Sequence, residues 1–140
     1  MSVYFHKEDR EIPALEQKKI INSIDTFCSR YGKKTGNINF IYCSDEYLID
    51  MNKKYLDHDY FTDVITFNFC EDELVSGDIF MSRDRMEENA EKLEVELEDE
   101  FIRVCGHGFL HLLGFNDGSE PELRIMRENE DEFIQMVKGI

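Results

Sequence analysis

The stretch of chain that decides the fold covers residues 98–118 and reads EDEFIRVCGHGFLHLLGFNDG. It predicts a helix that begins near Glu98 and ends at Gly114, because glycine is favoured where a helix closes with a left-handed residue. A helix that is apolar around most of its circumference is expected to be buried. The apolar residues that surround it are Phe101, Ile102, Val104, Cys105, Phe109, Leu110, Leu112 and Leu113.

Strand and helix patterns alternate along the rest of the chain. Residues 3–6 and 38–42 predict strands, and residues 65–69 and 74–81 predict a hairpin around an acidic turn. Helices are predicted from Pro13 to Gly32, after Ser44, from Ser82 to about residue 95, and after the capping box at residues 119–122. The fold class is therefore α/β of the α+β type. A single domain spanning residues 1–140 is expected, with a small mixed four-stranded sheet covered by about five helices.

Composition narrows the class of protein. The longest mostly apolar stretch without Asp, Glu, Lys or Arg, residues 104–115, is shorter than the roughly 20 residues of a membrane helix. The first residues lack the basic and apolar regions of a secretory signal, so a cytoplasmic location is expected. Four cysteines occur without a CxxC pair, which predicts small core residues rather than a disulfide framework or a zinc ribbon. They are Cys28, Cys43, Cys70 and Cys105.

The charge of the chain is strongly acidic and unevenly distributed. The formal net charge is −15, from 16 Lys and Arg against 31 Asp and Glu. Residues 1–70 carry nine basic and eleven acidic side chains, whereas residues 71–140 carry seven and twenty. Because phosphate binding depends on Lys and Arg, a polyanion is expected to dock on the N-terminal half.

Two histidines of this apolar helix predict a metal site. His107 and His111 are four residues apart and share one helix face, and Gly114 allows the chain to turn so that Asp117 approaches them. Three protein ligands leave positions open at the ion, which is typical of a catalytic rather than a structural zinc. The alternative is a pair of core histidines with Asp117 serving the turn at residues 116–118. Burying two stacked imidazoles without a shared partner is costly, so the pattern favours the metal.

Other metal-dependent activities fit the same ligand set less well. The spacing resembles that of metzincin proteases, but these need a glutamate directly after the first histidine, and this chain has Gly108. Two histidines and a carboxylate also suit a non-haem Fe(II) oxygenase, although nothing else in the sequence supports oxygen chemistry. A peptidase therefore stays a minor alternative.

Four sequence blocks resemble the YbeY family of metal-dependent endoribonucleases, which act as ribosomal RNA maturation factors. The block at residues 107–115, HGFLHLLGF, resembles the signature of that family. Residues 51–55 with 62–67, Gly77-Asp78-Ile79, and Met126 with Glu130 match further segments in order. The resemblance spans residues 51–130, and chain length and element order also agree.

The resemblance implies a hydrolase that cleaves phosphodiester bonds in single-stranded RNA. The expected role is maturation of ribosomal precursor RNA, including the 3′ end of the small-subunit RNA, and ribosome quality control. The implied cofactor is one divalent ion, expected to be zinc, held by His107, His111 and Asp117 and able to lower the pKa of a bound water. Expected partners are the RNA and the ribosome or its small-subunit proteins, with neither DNA specificity nor a membrane.

This chain departs from the family pattern at two positions. Asp117 stands where the family usually has a third histidine, which keeps a ligand able to bind a metal. Leu56 stands where the family has an arginine implicated in handling RNA. Lys53, Lys54 and His58 are the candidates for supplying that positive charge, and the alternative for the lysines is an ordinary solvated helix face.

Three carboxylates are candidates for supporting roles. Glu130 interrupts the apolar stripe of the last helix and should point inward, either as a buried partner of Arg103 or another cation, or as a catalytic group or a support for a metal ligand. Asp63 and Asp78 lie beside predicted strands, where a carboxylate could orient a metal-bound histidine or serve a turn or cap. Because no dedicated general base is evident, two other functions stay open: a non-catalytic, ribosome-associated metal-binding protein, and a metallohydrolase of another substrate.

Overall fold

The strands and helices follow the predicted alternation. The computed structural model describes residues 2–11, 17–56 and 63–140. Its strands are β1 (Ser2–Lys7), β2 (Lys34–Cys43), β3 (Val64–Asn68) and β4 (Leu74–Ser82). Its helices are α1 (Gln17–Arg30), α2 (Asp45–Met51), α3 (Arg83–Leu93), α4 (Leu97–Leu113) and α5 (Glu120–Lys138), and a short π-helical turn, Asn52–Leu56, follows α2. The predicted helix start at Pro13 lies outside the described residues.

The four strands form one mixed sheet in the order β1-β2-β4-β3. The pairs β1–β2 and β2–β4 are parallel, and β3 runs antiparallel to β4 at the edge. The predicted hairpin is present, and its turn contains Asp72 at a φ of 53°. A mixed four-stranded sheet with five helices confirms the predicted fold class.

Short polar side chains begin the helices where the sequence predicted them. The hydroxyl oxygens of Ser44, Ser82 and Ser119 accept hydrogen bonds from the backbone N–H groups of Tyr47, Arg85 and Glu122. Each bond satisfies one of the free donors of a first helical turn. The sequence therefore predicted these starts from local chemistry alone.

Helix α4 packs against one face of the sheet, at β3 and β4, and contacts α1, α3 and α5. A Cβ atom added to Gly108 would lie 2.7 Å from Cγ2 of Ile79 in β4, and one added to Gly106 would lie 2.8 Å from Cδ1 of Phe133 in α5. Glycine at these positions allows α4 to approach both neighbours closely. Most residues of α4 are buried, in agreement with its apolar circumference.

The opposite face of the sheet has its own smaller apolar cluster beneath α2. Cys43, Leu48 and Ile65 are its buried members. Cys28, Cys43 and Cys105 are buried as predicted, whereas Cys70 is half-buried. No helix in the described parts of the chain combines the length and apolarity needed to cross a membrane.

Candidate metal centre

The last turns of α4 bring two imidazoles together. His107 and His111 lie on the same helix face, and their rings meet edge to face at an angle of 83° with centroids 4.6 Å apart. The two Nε2 atoms are 3.1 Å apart. The two rings therefore lie together on one helix face, as the spacing indicates, but meet edge to face rather than stacked.

The end of α4 returns a carboxylate to these rings. Gly114 ends the helix at a φ of 106°, a conformation that side chains other than glycine rarely adopt. The chain then reverses before α5 begins, and Oδ2 of Asp117 lies 3.4 Å from Nε2 of His107 and 3.5 Å from Nε2 of His111. Three donor atoms from three side chains thus face one point.

Hydrogen bonds to the other ring nitrogens determine what these donor atoms offer. Nδ1 of His111 lies 3.0 Å from the carbonyl oxygen of Phe115, and a carbonyl can only accept, so Nδ1 carries the proton. Nδ1 of His107 donates in the same way to Oε2 of Glu130 at 2.6 Å. In neutral rings each Nε2 then carries a lone pair directed toward the other and toward Asp117.

This convergence of lone pairs fits a divalent cation. Ligand atoms placed tetrahedrally around zinc at about 2.0–2.1 Å are about 3.3 Å from one another. The three separations of 3.1, 3.4 and 3.5 Å are close to that value. Two imidazole nitrogens and one carboxylate oxygen are also ligands that zinc accepts. His107, His111 and Asp117 could therefore hold one metal ion.

A buried carboxylate supports the first of the two histidines. Glu130 on α5 is 1% exposed, as its inward position in the sequence predicted. Burial favours a higher pKa for its carboxyl group, but the hydrogen bond from His107 and the charges of His107, Arg103 and Arg127 outweigh burial and lower the pKa. An ionised Glu130 accepts the Nδ1 proton of His107 and leaves Nε2 for the ion.

Arg103 compensates the charge of that carboxylate. Its Nη1 lies 3.2 Å from Oε1 of Glu130, and its Nε donates to Glu100 at 2.8 Å. The hydrogen bond to Glu100 raises the pKa of Arg103 against the opposing effect of burial. Glu130 therefore pairs with Arg103 and also contacts His107, so the two roles that the sequence left as alternatives are combined in one residue.

The structure brings one of the two strand carboxylates near this network. Oδ2 of Asp63 lies 3.6 Å from Nη2 of Arg103, so Asp63 reaches His107 only through other side chains. Asp78 faces the other side of the sheet, where its Oδ1 accepts a hydrogen bond of 3.0 Å from Asn39. In the described residues, Asp78 therefore has no contact with either histidine of the metal centre, because successive strand residues point to opposite faces.

His107, His111 and Asp117 line a cleft of about 890 Å³. Strand β3, the C-terminal turns of α3, the polar face of α4 and the start of α5 line it. Among the described residues its basic side chains are Lys92, Arg103 and Arg127, all from the acidic C-terminal half. Lys53 and Lys54 are exposed on the π-helical turn and do not line the cleft, and His58 lies outside the described residues.

Sequence reasoning missed the basic residues of the cleft. Arg103 lies one helical turn before His107 in an otherwise apolar helix, and that spacing was a usable signal. Arg127 lies three residues before Glu130, but its direction depends on how α5 packs against α4. Only the first of the two could have been found from the pattern.

Known proteins match this chain over nearly its whole length. The family model described as Endoribonuclease YbeY matches residues 2–138. A protein of that name from Parabacteroides distasonis is 41% identical over 137 residues, covering 98% of this chain and 96% of that protein. One from Bacteroides thetaiotaomicron is 40% identical over 136 residues, covering 97% of this chain and 99% of that protein.

A solved structure supports the fold. The solution structure of a protein from Thermotoga maritima superposes with a TM-score of 0.66 at 24% sequence identity and covers 99% of this chain and 90% of that chain. The chain belongs to the Endoribonuclease YbeY family.

Proposed function

We propose that this chain is a zinc-dependent endoribonuclease that cleaves single-stranded ribosomal precursor RNA in the cytoplasm, contributing to small-subunit maturation and ribosome quality control. The observation that carries the proposal is the convergence of three donor atoms, from His107, His111 and Asp117, at one side of an open cleft. Membership of the Endoribonuclease YbeY family supports RNA as the substrate.

The proposed cofactor is one zinc ion. When bound, such an ion polarises a phosphate oxygen and lowers the pKa of a water molecule, so that hydrolysis proceeds near neutral pH. Three protein ligands leave room at the ion for substrate and water, whereas a structural zinc is enclosed by four protein ligands. The mixed nitrogen and oxygen ligand set supports zinc over magnesium, which prefers oxygen ligands.

The surrounding side chains hold the ligands in place. Glu130 and the carbonyl oxygen of Phe115 keep the Nδ1 protons of His107 and His111 pointing away from the cleft. Each ring is thereby fixed in one orientation with Nε2 facing Asp117. Rigid ligands reduce the reorganisation needed when the substrate binds.

The position of the metal centre favours a single strand. It lies in a cleft beside the edge strand β3, where one backbone can be drawn past the donor atoms. Sequence-specific recognition of RNA by proteins mostly targets single-stranded loops, bulges and ends. Unpaired ends and loops of RNA also expose their bases for recognition.

The distribution of charge bears on the proposed ribosomal partner. The acidic side chains of the C-terminal half repel RNA but complement basic surfaces of small-subunit proteins. We propose that docking on such a protein places the cleft against its RNA substrate.

A cleavage assay tests the activity. The zinc-loaded protein is incubated with a single-stranded oligoribonucleotide from the 3′ end of small-subunit precursor RNA, and with the same strand in a duplex. Internal cleavage of the free strand is expected, with loss of at least about 100-fold in His111→Ala or after chelation of the metal. His6→Ala is the matched control, because His6 is an exposed histidine that contacts Asn39 on the opposite face of the sheet.

Three results would contradict the proposed function. Equal cleavage by the wild type and His111→Ala would indicate a contaminating nuclease. RNA binding without cleavage by the zinc-loaded wild type would instead indicate a non-catalytic RNA-binding protein, and zinc-dependent cleavage of a peptide would indicate a peptidase.

A further inference from the structure

The metal centre faces an electrostatic obstacle to binding RNA. Each nucleotide carries a phosphate charge, while Asp117 lies at the cleft and Glu130 lies directly behind His107. The chain as a whole carries a net charge of −15. A bound divalent ion offsets part of this charge, and a basic side chain in the cleft that is available to a phosphate would further favour association with a polyanion. Among the described residues, the basic residues that line the cleft are Lys92, Arg103 and Arg127.

Arg103 is already committed to carboxylates of this chain. Its guanidinium contacts both carboxylate oxygens of Glu100 and lies 3.2 Å from Oε1 of Glu130 and 3.6 Å from Oδ2 of Asp63. Its side chain is only 18% exposed. A phosphate would have to break contacts with buried acids, which would leave Glu100 and Glu130 without compensation.

Lys92 is more exposed but lies on another element of the cleft. It belongs to the last turn of α3, where its Nζ pairs with Oε1 of Glu88 at 3.0 Å. An ammonium group presents a point charge on a flexible stem and holds a phosphate with less geometric definition than a guanidinium does. Lys92 can contribute to the field of the cleft without fixing the position of the strand.

Arg127 is both available and close to the metal ligands. Its side chain is 57% exposed, and its Nη1 lies 3.5 Å from Oε1 of Glu130, at the outer limit of a hydrogen bond. Among the described residues, Glu130 is the ion-pair partner of Arg127. The other oxygen of Glu130 is 2.6 Å from Nδ1 of His107, so a single carboxylate links the guanidinium to His107, and Arg127 lines the same cleft as His107, His111 and Asp117.

We infer that Arg127 binds a phosphate of the RNA strand next to the His107–His111–Asp117 group. A guanidinium can donate two parallel hydrogen bonds to one phosphate, which positions the strand as well as attracting it. The inference rests on the proposed function, because it concerns the substrate of the same centre. It makes Arg127 a substrate-binding residue contributed by α5.

RNA binding by the metal-free protein tests this role without cleavage. The affinity for a fluorescent single-stranded oligoribonucleotide is measured by anisotropy over a series of salt concentrations. Arg127→Ala is expected to weaken binding about tenfold and to reduce the salt-dependence slope by about 0.7, the value for one lost phosphate contact on a single strand. Arg127→Lys is expected to restore the slope, because it keeps the charge, but only part of the affinity.

Arg124→Ala is the matched control. Arg124 is exposed one turn earlier on the same helix and does not line the cleft, so its removal changes net charge equally without removing the contact. Its slope is expected to stay at the wild-type value. Zinc affinity is expected to be unchanged in Arg127→Ala, since Glu130 keeps Arg103 and His107 as partners.

The outcomes separate this inference from the proposed function. If Arg127→Ala and Arg124→Ala have the same RNA affinity and the same salt dependence of RNA binding, the inference about Arg127 is wrong. That result leaves the proposed nuclease activity unaffected. If zinc affinity falls in parallel with RNA affinity, Arg127 acts through Glu130 and the inference is again overturned. If the zinc-loaded wild type cleaves no RNA, it is the proposed function that fails.

Discussion

The residue that matters most beyond the donor atoms is Glu130. It is buried on α5, yet it belongs to the metal centre because it accepts the Nδ1 proton of His107 at 2.6 Å. A buried carboxylate is costly unless it is paired, and here Arg103 provides a partner on α4. The same carboxylate therefore links a core ion pair to the orientation of a metal ligand.

Replacing this carboxylate is expected to weaken metal binding without removing any donor atom. Glu130→Gln keeps the size of the side chain but removes the charge that holds the Nδ1 proton of His107. We expect zinc affinity to fall by about 10–100-fold, as is usual for groups that support a metal-bound histidine. Competition with a chromophoric chelator measures this change.

Glu128→Gln is the control for that variant. Glu128 is an exposed acid of the same helix, and its replacement alters the net charge by the same amount. Zinc affinity that falls equally in both variants, or in neither, would rule out a specific role of Glu130.

At the scale of elements, the position of the metal centre depends on how closely α4 packs on the sheet. Gly108 lies between the two histidines and faces Ile79 of β4. Glycine is unfavourable within a helix, so its presence there indicates a packing requirement. The close approach brings the histidines beside strand β3 and thereby shapes the cleft.

A methyl group at this contact is expected to destabilise the protein. In Gly108→Ala the added Cβ would lie 2.7 Å from Cγ2 of Ile79, whose side chain is fully buried. Overpacking of this kind costs about 1–3 kcal/mol, which exceeds the gain of about 1 kcal/mol in helix propensity. We expect the free energy of unfolding, measured with urea, to fall by about 1 kcal/mol, the difference between a mid-range overpacking cost and the gain in propensity.

Gly118→Ala provides the comparison for that measurement. The nearest atom to its added Cβ is a glutamate oxygen at 3.8 Å, which is ordinary contact. Its free energy of unfolding should change by less than about 0.5 kcal/mol. A Gly108→Ala protein as stable as the wild type would show that α4 can shift on the sheet.

At the scale of the whole molecule, metal binding and folding are coupled. The donor atoms come from α4 and from the turn that leads into α5, and they converge only in the folded chain. An ion that binds this arrangement therefore stabilises the folded state.

Zinc is accordingly expected to raise the melting temperature. At a free concentration 100 times the Kd the stabilisation is about 2.7 kcal/mol. Scanning calorimetry with zinc, with zinc plus chelator, and on His111→Ala measures it. An identical melting temperature with and without zinc in the wild type would argue against a folded metal centre.

The buried thiols link the stability of the molecule to alkaline pH. Burial raises the pKa of Cys28, raises that of Cys105 well above its usual value, and raises that of Cys43 to about 12. Above pH 9 the unfolded chain loses these protons while the folded chain keeps them, so stability present at lower pH is lost as pH rises. For each thiol, the free energy of unfolding decreases by at most about 1.4 kcal/mol per pH unit.

Urea unfolding between pH 8 and pH 10.5 under reducing conditions checks this dependence. The free energy of unfolding is expected to decrease with pH, and Cys43→Ala is expected to decrease less steeply because one buried thiol is absent. Parallel curves for the two proteins would contradict the contribution of Cys43.

Local chemistry accounts for the part of the architecture that could be predicted. Some features act through near neighbours in the chain, so the sequence alone predicts their effects. They are the apolar circumference of α4, the serines at the helix starts and Gly114 at the end of α4. The position of His107 and His111 on one helix face follows from helical periodicity in the same way. Strand alternation likewise predicted the β3–β4 hairpin.

Contacts between distant segments were decided only by the tertiary structure. Asp78 and Asp63 both lie beside predicted strands and could not be distinguished from the sequence. In the folded chain Asp78 contacts Asn39 on one side of the sheet, whereas Asp63 lies near Arg103 of α4. The packing of α5 against α4 determines that Glu130 meets His107 and that Arg127 reaches the cleft. Short spacings along the chain therefore predicted the elements and the group of His107, His111 and Asp117 that could hold a metal ion. Their supporting network depends on side chains up to 67 positions apart, from Asp63 to Glu130, which only folding brings together.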